Sequence, residues 1–148
     1  MKIKVINGLD PDFGQRADRI VELYNKECAA FQEASLTIMR AETLNLIYVE
    51  GVEGGIITDK HYDQSGNFLF NSVMYAAFPE YDRRKGYLQA CLKHAGFPID
   101  AIQVQYGDPM KVWKHLGFNE LRVLGISCYL INRDIPEVDW NRDTVVFR

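Results

Sequence analysis

The stretch Phe78-Pro79-Glu80-Tyr81-Asp82-Arg83-Arg84-Lys85-Gly86-Tyr87-Leu88 constrains the chain most, because an apolar run leads into it and a helical stripe leads out of it. It reads as a strand end, a basic turn and a helix start. Such a turn aims several backbone N–H groups at one point, with the positive end of a helix behind them and Arg83, Arg84 and Lys85 beside them. The expected product is an anion cradle. Gly86 stands where bulk would least suit an anion held against the main chain.

The rest of the chain supplies a sheet and helices around that turn. Residues 2–6 alternate charged and apolar side chains, as a half-buried strand does. Asp10-Pro11 is a helix-entry signal, and Phe13, Ala17, Ile20, Val21, Tyr24, Cys28 and Phe31 follow at helical spacing. Ser35 is placed to cap a second, shorter helix holding Leu36, Met39 and Leu44. Residues 46–50, 55–59 and 67–77 are rich in strand formers and separated by glycine-bearing turns, which predicts an antiparallel meander with the third strand central. Tyr87, Leu88, Cys91, Leu92 and Ala95 form the stripe of a helix over 85–95, which Gly96 stops. Residues 99–105 then read as a strand, and reaching it through one helix implies a right-handed crossover and a parallel pairing. Asp108-Pro109 repeats the entry signal for a short helix through Val112, Trp113 and Leu116, capped by Gly117. Residues 121–124 and 126–131, hinged at Gly125, predict a closing hairpin. The fold class is therefore α/β: an α+β arrangement with a central mixed, mostly antiparallel sheet and helices on both faces.

Size and charge bound the function. At 148 residues the chain reads as a single domain, 1–148, with a core over about 2–132 and a C-terminal extension over 133–148. A net charge of -3 weighs against a broad grip on nucleic acid, although residues 83–85 leave a local basic patch. The start lacks the apolar core of a signal peptide and no window approaches the roughly 20 apolar residues of a membrane span, so the expectation is cytoplasmic, with no membrane partner. Cys28, Cys91 and Cys128 lie in apolar patterns without a C-x-x-C pair and read as reduced core residues. No metal-ligand spacing occurs, and His94 and His115 sit where a helix C-terminus favours them.

Two separated motifs resemble the GCN5-related N-acetyltransferases (GNAT). The family's central motif, Arg or Gln, two residues, Gly, one residue, Gly or Ala, lies on Arg83-Arg84-Lys85-Gly86-Tyr87-Leu88. Ala77-Phe78-Pro79-Glu80-Tyr81 resembles the strand end and lead-in, with Asp82 as one extra residue, and Val112-Trp113-Lys114-His115-Leu116-Gly117-Phe118 resembles the family's Leu-Gly-Phe helix. The resemblance covers roughly residues 2–132 and implies a GNAT-like acyl-CoA N-acyltransferase fold that uses acetyl-CoA (acetyl-coenzyme A) as co-substrate. It further implies that the amides of Arg84, Lys85, Gly86, Tyr87 and Leu88 take the pyrophosphate, with Arg83 and Arg84 adding phosphate specificity, and that Ala77 and Phe78 meet pantetheine through their main chain. Trp113 belongs to the same cofactor-binding set.

The chain departs from the family's pattern twice. Leu88 replaces a small residue, and Trp113 stands where the family carries the Tyr that reprotonates the coenzyme A thiolate; an indole N–H donates a hydrogen bond but has no useful acidity. The catalytic candidates that remain are Tyr106 as the acid, Asn71 and Ser72 as residues that orient water, and Tyr75, with Glu50 and His61 on neighbouring strands. The expected activity is acetyl transfer from acetyl-CoA to an amine acceptor by direct attack in a ternary complex. The alternative is a GNAT-fold binding or regulatory module, or a nucleic-acid- or protein-modifying variant, without ordinary acetyl transfer. Trp140 and Val145-Val146-Phe147 form an apolar end without an assigned place, through which a homodimer is expected.

Overall fold

A computed structural model describes residues 1–27, 38–105, 108 and 110–141. Its seven strands form one sheet in the order β1-β2-β3-β4-β5-β7-β6. Strand β1 is Ile3–Asn7, β2 Leu44–Val49, β3 Gly55–Tyr62, β4 Phe68–Ala77 and β5 Ala101–Val104; the closing hairpin is β6 Glu120–Leu124 and β7 Ser127–Ile131. Helices α1 (Phe13–Glu27), α2 (Tyr87–Lys93) and α3 (Met110–His115) connect them. All pairings are antiparallel except β4 with β5, which is parallel as a single-helix crossover requires.

The two faces of the sheet are covered by different helices. Phe13, Ala17, Ile20, Val21 and Tyr24 of α1 pack with Leu44, Leu46, Ile57, Tyr75 and Ala77. On the opposite face Cys91 of α2 and Trp113 of α3 pack with Ile47, Ile56, Val73, Ile102, Val104 and Leu130. Two expectations are corrected. Residues Ile38–Thr43 form a 3-10 turn rather than an α-helix, and Leu44 opens β2, where it pairs with Asp59. Asn7 sets that boundary by donating its side-chain amide to the Leu44 carbonyl at 3.0 Å. Ser35, Leu36 and Cys28 lie outside the described residues. The segment after β7 also has a place: Ile135, Val138 and Trp140 pack on Phe70 and Tyr129, so Trp140 contributes nothing to a free apolar end. Val145, Val146 and Phe147 lie outside the described residues.

The sheet is continuous along β3 and β7 but divided in the middle. Strand β4 pairs with β5 only through Ser72↔Ala101 and Val73↔Ile102. Beyond that, β4 runs on along β3 as far as Ala77↔Gly55, while β5 runs on along β7 as far as Val104↔Cys128. The register of β3 on β4 also slips there, passing from Thr58↔Val73 to Ile57↔Tyr75, so that Met74 is the extra residue of a β-bulge. No helix among the described residues is long and apolar enough to cross a membrane.

Candidate functional site

The basic turn sits at the end of the β4 arm. Pro79 leads into one 3-10 turn, Glu80–Asp82, closed by the Arg83 N–H on the Glu80 carbonyl at 3.2 Å. The main chain then takes a left-handed conformation at Arg84 (φ 63°) and again at Gly86 (φ 80°). Left-handed backbone costs a residue with a side chain roughly 1–2 kcal/mol, and among the described residues only Arg84 bears it. Alternation of left-handed and right-handed residues turns successive N–H groups toward a common concavity. The first hydrogen bond within α2 is the Ala90 N–H to the Gly86 carbonyl at 3.0 Å, so the N–H groups of Tyr87, Leu88 and Gln89 precede the helical ladder. With seven residues, α2 contributes little dipole; directed N–H groups carry any anion affinity. Nothing lies within 4 Å of where a Cβ on Gly86 would stand.

The side chains of this turn divide the work. Tyr87 and Leu88 are partly buried against the α2-face core, so their bulk points away from the turn and leaves the main chain exposed. Arg83 is turned inward: its Nε donates to the Phe78 carbonyl at 3.3 Å and its other end pairs with Glu27 of α1 at 3.0 Å. The guanidinium expected to meet phosphate is thus engaged in holding the turn to α1 and β4. Lys85 reaches Asp82 at 3.6 Å, and Arg84 is exposed. Trp113 is 8% exposed and stands edge-on to Phe118, as a core residue beneath the β5 arm.

A second group of polar side chains lies on the α1 face, just past the point where β4 and β5 part. Tyr24 of α1 donates its hydroxyl to Asp108 Oδ1 at 2.5 Å, and the Gln105 N–H donates to Asp108 Oδ2 at 2.6 Å. The Tyr75 ring meets the Tyr24 ring edge-on, with centroids 5.0 Å apart. Burial pushes the Asp108 carboxyl above the usual carboxylate range, against the two hydrogen bonds that favour its charge. Burial likewise pushes the Tyr75 hydroxyl up; the Gln105 side chain opposes this and the Asp108 charge adds to it. Alternation read as an unbroken strand would set Tyr75 on the face of Val73; the bulge at Met74 brings it to the α1 face instead.

Of the candidates read from sequence, Ser72 and Tyr75 share this face and Asn71 does not. Ser72 Oγ lies 2.8 Å from His61 Nε2, and the His61 ring stacks on Phe70 at 4.3 Å. Asn71 donates its side-chain amide to the Pro98 carbonyl at 3.0 Å, which ties β4 to the approach to β5; its Oδ1 is buried without a partner among the described residues. Glu50 is on the surface, 4.0 Å from Lys2. Tyr106 lies outside the described residues. Sequence reading missed Tyr24, Gln105 and Asp108: Tyr24 was absorbed into an apolar helical stripe and Asp108 into a helix-entry signal. The available signal was the tyrosine itself, because a buried phenol needs a hydrogen-bond partner. Among the described residues no group of His, Cys, Asp and Glu is arranged to hold a metal ion.

No protein-family model and no curated protein sequence matches the chain. Solved structures do. N-acetylglutamate synthase from Neisseria gonorrhoeae, solved with coenzyme A and N-acetyl-glutamate, matches 80% of this chain with a TM-score of 0.53 at 11% identity, and the match spans 28% of the synthase chain. PH1933 from Pyrococcus horikoshii OT3 matches 90% of this chain and is itself covered over 99% of its length, with a TM-score of 0.50 at 18% identity. The likeness is one of fold: the chain carries a GNAT-like fold, a seven-stranded mixed sheet flanked by helices.

Proposed function

We propose that this chain is an N-acetyltransferase that binds acetyl-CoA in the gap between the β4 and β5 arms and transfers its acetyl group directly to an amine. The observation that carries the reading is the division of the sheet after Val73 and Ile102, with the strained N–H turn at one side of the gap and the Tyr24, Tyr75, Asp108 group at the other. Chain 1–148 acts in this reading as one domain, with 133–148 as an extension.

The amides of Arg84, Lys85, Gly86, Tyr87 and Leu88 hold the pyrophosphate, with the Arg84 and Lys85 side chains as the adjustable cations and Arg83 positioning the turn. The main chain of Ala77 and Phe78 pairs with the pantetheine arm, as an added strand would. The thioester then lies beside the bulge at Met74, where a strand N–H can polarise its carbonyl. Holding the two reactants together supplies most of the rate, which makes the loss of a dedicated acid at Trp113 tolerable. Tyr75 and Tyr106 are the residues assigned to thiolate protonation, with Ser72 and Asn71 orienting water or neighbouring side chains. A binding module without transfer is the second reading, and the burial of Trp113 in the core favours it.

The test is a melting curve with acetyl-CoA. Binding raises the midpoint, and Gly86→Glu, which forces a charged side chain onto a left-handed position beside the cradle, removes the rise. No shift at millimolar acetyl-CoA would sink the reading; a shift without thiol release across amines, peptides and nucleic acids would leave the binding module.

A further inference from the structure

Resting on that reading, we infer that Asp108 is the catalytic residue on the acceptor side: its carboxylate receives the acceptor as an alkylammonium ion and takes the proton that must leave before nitrogen can attack.

Its placement is unusual for a helix-entry aspartate. Asp108 stands just after β5, and its carboxylate is gripped by Tyr24 of α1 on one oxygen and by the Gln105 N–H of its own turn on the other. The return bond from the Asp108 N–H to the Gln105 carbonyl, 3.1 Å, fixes the turn itself. An ionised carboxylate offers about four acceptor positions, so two such bonds orient it and leave room for an ammonium N–H. Among the described residues no Lys, Arg or His forms an ion pair with it, so a half-buried anion stands where a cation can supply the missing charge. The group lies on the α1 face with Tyr75, beside the gap rather than at the anion-binding turn. Burial also raises the proton affinity of this carboxyl above that of an ordinary aspartate, which suits a base.

The step balances as follows. The ammonium gives one proton to Asp108, the neutral nitrogen forms the C–N bond as the thioester C–S bond breaks, and the second nitrogen proton passes to the sulfur. Products are the acetamide and coenzyme A thiol, and Asp108 returns its proton to water.

The test pairs Asp108→Asn with Tyr24→Phe, using acetyl-CoA and two probes: tyramine, an alkylammonium ion at neutral pH, and hydroxylamine, which is largely neutral there. Asp108→Asn should lower turnover of tyramine about 100-fold, the usual scale of a general base, and that of hydroxylamine by less than about threefold. Tyr24→Phe, which removes one orienting bond but leaves the base in place, should lower tyramine turnover by less than Asp108→Asn does and leave hydroxylamine within the same threefold. The inference is overturned if Asp108→Asn loses both probes equally or neither, or if the wild-type chain acetylates no alkylamine. An unchanged acetyl-CoA melting shift in Asp108→Asn separates these results from failure of cofactor binding. An absent shift in the wild-type chain overturns acetyl transfer itself, and this inference with it.

Discussion

Removing Arg133 should destabilise the fold more than neutralising its partner Asp100, although both changes delete the same ion pair. The guanidinium meets the Asp100 carboxylate with two hydrogen bonds, Nε to Oδ1 at 3.0 Å and a terminal nitrogen to Oδ2 at 3.1 Å. The environments differ: the Asp100 side chain is 7% exposed and that of Arg133 is 51% exposed. The Asp100 main chain is also fixed, its N–H on the Asn71 carbonyl and its carbonyl under the Asn132 N–H, so the carboxylate cannot swing into water. Breaking a wholly buried pair costs about 3–5 kcal/mol, and an exposed pair contributes about 0–1, so Arg133→Ala should cost about 2 kcal/mol. Asp100→Asn leaves a half-solvated guanidinium and a neutral amide that still bonds, at about 1 kcal/mol. For a chain of this size the first corresponds to a fall in melting temperature of roughly 4–8 °C. Urea unfolding followed by far-UV circular dichroism measures both, with the slope unchanged if the segment after β7 stays packed. Equal losses for the two variants, or a loss below about 0.5 kcal/mol for Arg133→Ala, would refute the claim that an unpaired buried carboxylate sets the cost.

Asp108→Asn should raise stability at neutral pH while lowering activity, a cost of the kind functional sites carry. Because burial raises the folded-state affinity of Asp108 for its proton, the folded chain holds that proton more tightly than the unfolded chain; stability falls as pH rises from the ordinary carboxylate range through the raised value, and the variant's advantage should shrink on acidification. Gly54→Ala should cost at least about 2 kcal/mol, since its Cβ would stand 2.3 Å from the Ala77 carbonyl oxygen at a φ of 85°; a change in urea midpoint too small to measure would contradict this. Cys91 is buried with its thiol pushed up to about 12, and burial raises Cys128 as well, so in a Cys28→Ser background an aromatic disulfide reagent should label neither in native buffer and both in denaturant.

Most strands were legible because their turns are marked by glycine and aspartate and their strand formers are continuous. The Asp63 carboxylate collects the N–H groups of Ser65 and Asn67 in the β3–β4 turn, a local device visible as Asp-Gln-Ser-Gly-Asn. The 3-10 turn at Ile38–Thr43 was not legible, because its boundary depends on Asn7 reaching a carbonyl 37 residues away. The polar group on the α1 face was hidden for the same reason: the bond from Tyr24 to Asp108 joins residues 84 apart, while a helix stripe and a helix cap are both read in windows of a few residues.

The bulge explains why even the correct strand did not yield the correct face. Val73-Met74-Tyr75-Ala76-Ala77 is apolar at every position, so alternation carries no phase there and an extra residue leaves no trace in the pattern. Yet that residue decides the chemistry. With Met74 in register, Tyr75 would point with Asn71 and Val73 into the α2-face core; with Met74 bulged out, Tyr75 opposes Ile57 and meets Tyr24. The same irregularity accompanies the end of the β4–β5 pairing, so the opening of the gap and the aiming of Tyr75 come from one local departure from strand geometry. Giving Met74 a partner, by inserting one alanine between Ile57 and Thr58 of β3, should therefore do more than lengthen a strand. It would bring Met74 into register, turn Tyr75 to the opposite face and release Tyr24 from its ring partner, whereas deleting Met74 would leave Tyr75 alternating with Val73 and so on the α1 face. Nuclear Overhauser contacts between the Tyr24 and Tyr75 rings, present in the parent chain and in a folded Met74 deletion but absent in the folded insertion variant, are the expected result; their persistence in the insertion variant would show that the bulge is not what sets the face.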